Sequence, residues 1–395
     1  MHSFKKKITC FLAVLILLQF AFAPPLPAAP AIKLELNARA AVLIDAGHGT
    51  VLYEKEAHKP LPPASLTKLM VMLLAMEDLE SGRVDWDTAV TVSERAWKTG
   101  VTESQMFLDV GQRVVFKDLL KGIAIVSAND ACIAVAEHLS GSVEAFVQRM
   151  NRRAAELGLE NSHFANVHGL DDPDHYMTAA DIAHLASYLI RKHPEAAAFF
   201  SEKEFTFNEI RQFNFNTLLG QYPGVDGIKT GSTPGAGYCL ASTSEQKGMR
   251  LIGVVLHANS NKERQDDSIA LLDYGFCNFE IKTLYREGEI VAAVPVKRGQ
   301  KKEVGLVAAG PVQVVAPRND SSYKITEELE LPRSLEAPVE KGDFVGTLHL
   351  KNGKGEPIAD IKLETAENLK KLSFFPYLLR QVGSFFSGLW HRIRP

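Results

Sequence analysis

Apolar and polar positions fall into short runs with clear periods from about residue 40 onward. In AAVLIDAGHGTVLYEKE, two β-prone runs, Val42–Ile44 and Val51–Tyr53, flank a glycine-containing turn at 46–50, and the pattern predicts a hairpin. Prolines 60, 62 and 63 then interrupt the chain. Behind them Leu66, Leu69, Met70, Leu73 and Leu74 recur at helical spacing, predicting a helix with one apolar stripe. The segment 115–141 is apolar on most sides and reads as a buried helix pair broken near Ser127. Residues 142–159 are amphipathic, as are residues 176–194, where Thr178 is the expected N-cap with Asp181 three positions on. From Val225, VDGIKTGSTPGAGYCLASTS and MRLIGVVLHA read as strands, and 263–279 as a closing helix. Beyond about Leu284, short valine-rich runs alternate with Gly, Pro and Asn-Asp breaks, the signature of a small all-β domain at 281–365.

The two ends differ from this middle. Lys5, Lys6 and Lys7 precede an apolar run from Ile8 to Phe22, followed by small residues and prolines; residues 1–31 read as a secretory signal. At 366–395, Leu372, Phe375, Leu379, Val382, Phe386, Trp390 and Ile393 recur every three or four residues, opposite a basic and serine-rich face. That pattern suits a helix lying in a membrane interface.

Composition narrows the reading only modestly. The 395 residues are 46% hydrophobic and 23% charged, with a formal net charge of −3, which gives no electrostatic footprint for nucleic acid. Four cysteines, one of them Cys10 in the signal, do not make a disulfide scaffold. Cys132, Cys239 and Cys277 are expected to be buried free thiols.

Three short motifs can carry chemistry. In Ser65-Leu66-Thr67-Lys68, a helix would set hydroxyl and amine on one face, one turn apart. A hydroxyl needs a base, and lysine serves if burial or a neighbouring cation lowers its pKa. The same spacing occurs at Ser3–Lys6, Ser244–Lys247 and Ser321–Lys324, in the signal or in polar stretches expected to be solvated; only Ser65 opens an apolar helix. Ser127-Ala128-Asn129 places a hydroxyl and an amide in the break between two apolar helices, where they either cap a helix or face a cleft. Lys229-Thr230-Gly231 lies in a strand, with Lys229 and Thr230 on opposite faces and Gly231 admitting a ligand or another backbone. A second Lys-Thr-Gly, at 98–100, follows a helix-like run with Ser93 as N-cap, and reads as a helix end closed by Gly100. The three His and three Asp of HFANVHGLDDPDH at 163–175 fit no zinc spacing, so no metal or other cofactor is expected.

These motifs, in this order, resemble the serine penicillin-recognising enzymes. Their surroundings, from PASLTKLM through LLKGIAIVSANDACIAVAEHLSGS to VDGIKTGSTPGAGYCLAST, resemble the D-alanyl-D-alanine carboxypeptidases among them. The resemblance implies an α/β catalytic domain at 32–280, an antiparallel sheet flanked by helices, followed by the β-rich domain and the amphipathic anchor. It implies that Ser65 forms an acyl-enzyme, with Lys68 as general base and Ser127 relaying a proton to the leaving D-alanine. It further implies that Asn129 holds the substrate amide, Lys229 supplies positive potential, and Thr230 binds the terminal carboxylate. Arg264 would be a second carboxylate ligand, and the backbone N–H groups of Ser65 and Ser232 the oxyanion hole. The substrate implied is the peptidoglycan pentapeptide ending in D-Ala-D-Ala, with β-lactams as inhibitors, on the outer side of the cytoplasmic membrane. A class A β-lactamase would need a deacylating Glu-x-x-Leu-Asn, which ELGLEN at 156–161 does not match. A non-catalytic wall-binding or penicillin-sensing protein would not need the full set of side chains.

Overall fold

A computed structural model describes residues 34–373 apart from Thr102 and Ser321. The secretory signal expected at 1–31, and the expected amphipathic segment beyond residue 373, lie outside the described residues.

The chain opens with the hairpin of β1 (Ala40–Asp45) and β2 (Val51–Lys55). A 3-10 turn, Ala64–Thr67, leads into α1 (Lys68–Glu80). The ribbon of β3 (Ala89–Thr91) and β4 (Arg113–Val115) brackets α2 (Glu94–Val101). Four further helices follow: α3 (Phe116–Ile125), α4 (Asn129–Ser140), α5 (Val143–Glu156) and α6 (Ala179–Lys192). After α7 (Pro194–Ser201) comes a hairpin of β5 (Glu204–Phe207) and β6 (Ile210–Phe213). Then β7 (Val225–Thr233), β8 (Gly237–Gln246), β9 (Met249–Ala258) and α8 (Asn261–Asn278) complete the mixed α/β half.

The main sheet has the order β2-β1-β9-β8-β7, with antiparallel neighbours throughout. Both of its faces are covered, so its central strands lose the polar alternation of a half-exposed sheet. Val42 and Ile44 of β1 point into a large core with α1, α4 and α6, whereas Ala41 and Leu43 point into a second core with Leu271 and Leu272 of α8. Period two is preserved, but both phases are apolar. Strand β7, which carries the second Lys-Thr-Gly, is an edge strand, so its outer side is free of sheet pairing and faces the cleft.

Several expectations change. Helix α1 is not a one-stripe helix: Met70, Val71, Met72, Leu74, Ala75 and Met76 are buried together with Leu69 and Leu73. It runs through the centre of the larger core, so every side needs apolar residues. Ser65 precedes this helix instead of opening it, because the 3-10 turn intervenes. Ser244 is buried in β8 and donates to the Pro223 carbonyl, against the expected solvated stretch. Cys132 and Cys239 are buried free thiols, but Cys277, near the end of α8, is exposed. Gly100 does not end α2 from outside; it lies within the last turn. The hairpin β5–β6 carries no clear strand signal and escapes the sequence reading.

The β-rich half begins at Phe279, where α8 passes directly into a strand paired with Val312–Pro317. A six-stranded sheet follows, antiparallel except where Ala292–Lys297 runs beside Leu335–Glu336. Val294, Val304, Leu306, Leu348 and Leu363 give it a core of its own. Leu369 still bridges to Val339, and Lys371 to Gly299, so residues beyond the last strand stay attached to this sheet. No described helix is long and apolar enough to cross a membrane.

Candidate active site

The prolines at 60, 62 and 63 prevent a helix from starting early, and the chain turns tightly at Ala64–Thr67. Ala64 takes φ +49°, a left-handed conformation that side chains avoid. It is held there from behind by Gly169: a Cβ on that glycine would lie 1.9 Å from the Ala64 carbonyl oxygen. The strain sits directly before Ser65, as it does at many functional positions. The turn presents Ser65 to a cleft and directs Leu66 and Thr67 inward.

Lys68 follows at the first position of α1 and is 0% exposed. Its Nζ lies 2.9 Å from Ser65 Oγ and donates to Asn129 Oδ1 at 2.7 Å and to the His168 carbonyl at 2.7 Å. Among the described residues it has no ion-pair partner. Burial pushes the amine down to about 8, against the opposing influence of Cys132, Asp130 and Glu103.

Ser127 stands between α3 and α4 with φ +60°. Its Oγ is buried without a hydrogen-bond partner among the described residues. An unpaired hydroxyl is costly to bury, and one aimed into a cleft is poised for a ligand. Asn129 opens α4, and its backbone N–H donates to the Ser104 carbonyl at 2.7 Å. Next to it the buried Asp130 accepts from the backbone of Met106 and Leu108. The 104–108 segment is thereby laid across the Ser127–Asn129 break, and Ser104 joins the cleft wall.

On β7, alternation sends Lys229 inward and Thr230 into the cleft. Lys229 is 2% exposed and its Nζ donates to the Thr230 carbonyl at 3.0 Å. Burial, the Lys68 charge and then Arg264 hold it well below the usual lysine range. Gly231 is required by packing: a Cβ would lie 2.8 Å from the Ser65 backbone nitrogen. Only glycine lets the edge strand approach the Ser65 turn this closely.

The cleft has a volume of about 710 Å³ and brings together Ser65, Ser127, Thr230, Gly231, Ser232 and Arg264. Lys68, Asn129 and Lys229 are buried and do not line the cleft itself; Lys68 lies behind Ser65, where Asn129 also reaches it. Arg264, on α8, is buried rather than solvated; it donates to Asn261 Oδ1, and its Nε has no partner among the described residues. Sequence reasoning missed Ser104, Phe213, Phe215, Tyr238 and Asn261, which also line the cleft. Their positions depend on which loops fold over it, and no motif marks them.

The loop 163–175 supplies contacts to the protein. His168 gives its carbonyl to Lys68, and Asp171 accepts from Thr233 Oγ1 at 2.5 Å and from Gly235 N at 2.9 Å, at the end of β7. His175 Nδ1 accepts from Ala165 N at 3.0 Å, so Nε2 carries the proton toward Thr67 Oγ1, 2.6 Å away. Thr67 in turn donates to the Ala64 carbonyl at 2.8 Å. Burial holds His175 down to about 4 and His168 to about 3, so both are neutral. The thiol of Cys132, pushed up to about 11 by burial, is protonated and is not a nucleophile at neutral pH.

Residues 26–260 match the family described as D-alanyl-D-alanine carboxypeptidase, and residues 279–371 match the penicillin-binding protein 5 C-terminal domain. D-alanyl-D-alanine carboxypeptidase DacF of Bacillus subtilis is 39% identical over 358 residues, covering 89% of this chain and 91% of the relative. DacC of Escherichia coli is 42% identical over 351 residues, 86% of each chain. Penicillin-binding protein 5 from Haemophilus influenzae superimposes with a TM-score of 0.74 at 36% identity, covering 86% of this chain and 99% of that one. Family match, relatives and the convergence of the three motifs on one cleft agree: the chain belongs to the D-alanyl-D-alanine carboxypeptidases, serine-type hydrolases of the penicillin-binding class.

Proposed function

We propose that Ser65 attacks the carbonyl between the two terminal D-alanines of a peptidoglycan stem peptide and releases the last D-alanine through an acyl-enzyme. The observation that carries this reading is the 2.9 Å contact between Ser65 Oγ and a fully buried lysine with no ion-pair partner among the described residues. Neutral Lys68 takes the Ser65 proton as the C–O bond forms. The backbone N–H groups of Ser65 and Ser232 stabilise the oxyanion. Ser127 passes a proton to the departing amine as the C–N bond breaks. Asn129 keeps Oδ1 on Lys68 and offers Nδ2 to the substrate backbone.

Lys229 acts through charge. Repulsion between two buried ammonium groups is mutual, so one releases its proton first. Asp130 and Glu103 support the charge on Lys68, whereas Arg264 opposes that on Lys229, so among the protein's own groups Lys229 yields first. A substrate carboxylate bound by Thr230 and Arg264 reverses the order. It keeps Lys229 charged and drives the proton from Lys68, activating Ser65 when substrate is in place.

A lactamase-type deacylation lacks support. Glu156 pairs with Arg153 on an exposed surface, and the His168 carbonyl takes the remaining side of Lys68. The reading further includes export to the wall side of the cytoplasmic membrane, the domain limits 32–280 and 281–365, and interfacial anchoring by residues 366–395. The test is D-alanine release from diacetyl-L-Lys-D-Ala-D-Ala. Wild type releases it, while Ser65→Ala and Lys68→Ala lose it by at least about 10³-fold. Release by Ser65→Ala at the wild-type rate would refute the assignment. Removing residues 374–395 should free the protein from membranes; retention would refute the anchor.

A further inference from the structure

Trp86 stands in the loop between α1 and β3, and its carbonyl accepts from Lys117 N at 3.0 Å, which fixes it against the start of α3. Its ring lies 5.8 Å from that of the buried Phe199 on α7, centroid to centroid. Together they form the apolar wall of a second pocket, of about 440 Å³. The indole is half-buried, yet its N–H meets no acceptor among the described residues. An indole offers an apolar face and one polar edge, and an unused donor on that edge is available to a ligand.

The charges around this wall balance. Lys121 of α3 pairs with Glu202 at 2.9 Å, and Glu195 lies 3.6 Å from His193. Asp87 and Lys117 remain, one of each sign, both exposed and without an ion-pair partner among the described residues. Such a lining selects neither an anion nor a cation. It suits a neutral ring whose apolar face lies on the aromatic groups and whose hydroxyl and amide groups bond the charged rim, which is the chemistry of a pyranose.

The pocket shares a wall with the Ser65 cleft. Glu202 lines the pocket, and its carbonyl accepts from Nδ2 of Asn214, which lines the cleft, at 2.9 Å. Helix α3 leads from Lys117 toward Ser127, a distance of about 15 Å at about 1.5 Å per residue. An extended pentapeptide spans at most about 17 Å. A stem peptide with its D-Ala-D-Ala end at Ser65 is therefore long enough to bring the sugar that carries it to Trp86.

We propose that the Trp86–Phe199 pocket holds a sugar ring of the peptidoglycan glycan strand while the attached stem peptide occupies the Ser65 cleft. This rests on the stem peptide being the substrate of Ser65. The pocket would favour peptides still attached to glycan over free peptides of the same sequence.

The test compares kcat/KM for D-alanine release from a free pentapeptide and from the same pentapeptide on its N-acetylglucosaminyl-N-acetylmuramyl disaccharide. Wild type should prefer the disaccharide form by about tenfold, mainly through KM, because binding remote from the reacting bond is retained unchanged in the transition state. Trp86→Ala should bring that ratio close to unity and leave the free pentapeptide rate within about twofold. Lys117→Ala and Asp87→Ala, at exposed positions that the fold does not depend on, should each lower the ratio by about threefold. Glycan strands stripped of their peptides should inhibit turnover of the disaccharide form in wild type and not in Trp86→Ala. Equal kcat/KM for the two substrates in wild type would overturn the site, as would a ratio unchanged in all three variants. D-alanine release that persists in Ser65→Ala would instead overturn the underlying reading, so the two failures are distinguishable.

Discussion

The two Lys-Thr-Gly tripeptides contrast in every environment that matters for chemistry. Lys98 is 65% exposed and paired with Glu94 at 2.6 Å, one helical turn away. Lys229 is buried, near Lys68, and donates to the Thr230 carbonyl. Thr99 Oγ1 closes on the Arg95 carbonyl within its own helix, whereas Thr230 opens onto the cleft. Gly100 is the exception to this indifference. A Cβ there would lie 2.9 Å from Asp130 Cβ, so α2 is pressed against the residue that organises the 104–108 segment. Gly231 admits the Ser65 turn in the same manner. Both glycines are packing residues, but only one of them packs against the nucleophile.

The contrast breaks most visibly at the lysines. Lys229→Ala should lower kcat/KM by about 10²–10³-fold, the usual loss for a preorganised electrostatic group. Lys98→Ala should stay within about twofold, since an exposed ion pair contributes little. Equal losses in the D-alanine release assay would erase the distinction.

The glycines come next. Gly231→Ala should push β7 away from Ser65 and slow penicillin acylation by about 100-fold, the scale of a 1 Å misplacement. Gly100→Ala should act mainly on stability, by about 1–3 kcal/mol from overpacking against Asp130. Acylation kinetics beside thermal unfolding separate the two effects.

These differences show what was legible from the sequence. Order and local context separated the two tripeptides, because residues 93–100 carry a capped helical pattern and residues 225–233 a strand pattern. The hairpin, the buried helix pair and the strands of the main sheet followed from periodicity. Other features depended on contacts distant in sequence. The all-round burial of α1 is set by the elements that surround it, and Gly100 packs against a residue 30 positions away. Arg264 looks like a surface residue until α8 is placed against β8, and the role of the 163–175 loop requires knowing that it passes behind Ala64.

Titration sharpens the comparison further. Activity needs Lys68 neutral and Lys229 charged, so the productive enzyme holds one proton on the pair. The value of kcat/KM should pass through a maximum, falling at low pH where both amines are charged and by about tenfold per pH unit above about 8 where the pair loses that proton. Lys98→Ala should leave this profile unchanged; a wild-type kcat/KM that stays flat or keeps rising above about pH 8 would contradict the roles of Lys68 and Lys229.

The smallest effect concerns His175. Its folded pKa, about 4, lies below the unfolded value of about 6.5, so the unfolded chain binds more protons between them. Stability is therefore fully present above about pH 6.5 and is lost as pH falls toward 4. His175→Gln, which keeps hydrogen-bonding capacity toward Thr67, should flatten that loss by no more than about 3 kcal/mol. Unfolding midpoints measured across this pH range would reveal it, and parallel curves for variant and wild type would argue against a buried neutral histidine.

The most direct measurement is peptide mapping by mass spectrometry after incubation with benzylpenicillin. A single covalent adduct on Ser65, lost in Ser65→Ala and greatly slowed in Lys68→Ala, is the predicted result. An adduct on any other residue, or one that persists in Ser65→Ala, would contradict the assignment of this cleft as the reacting site.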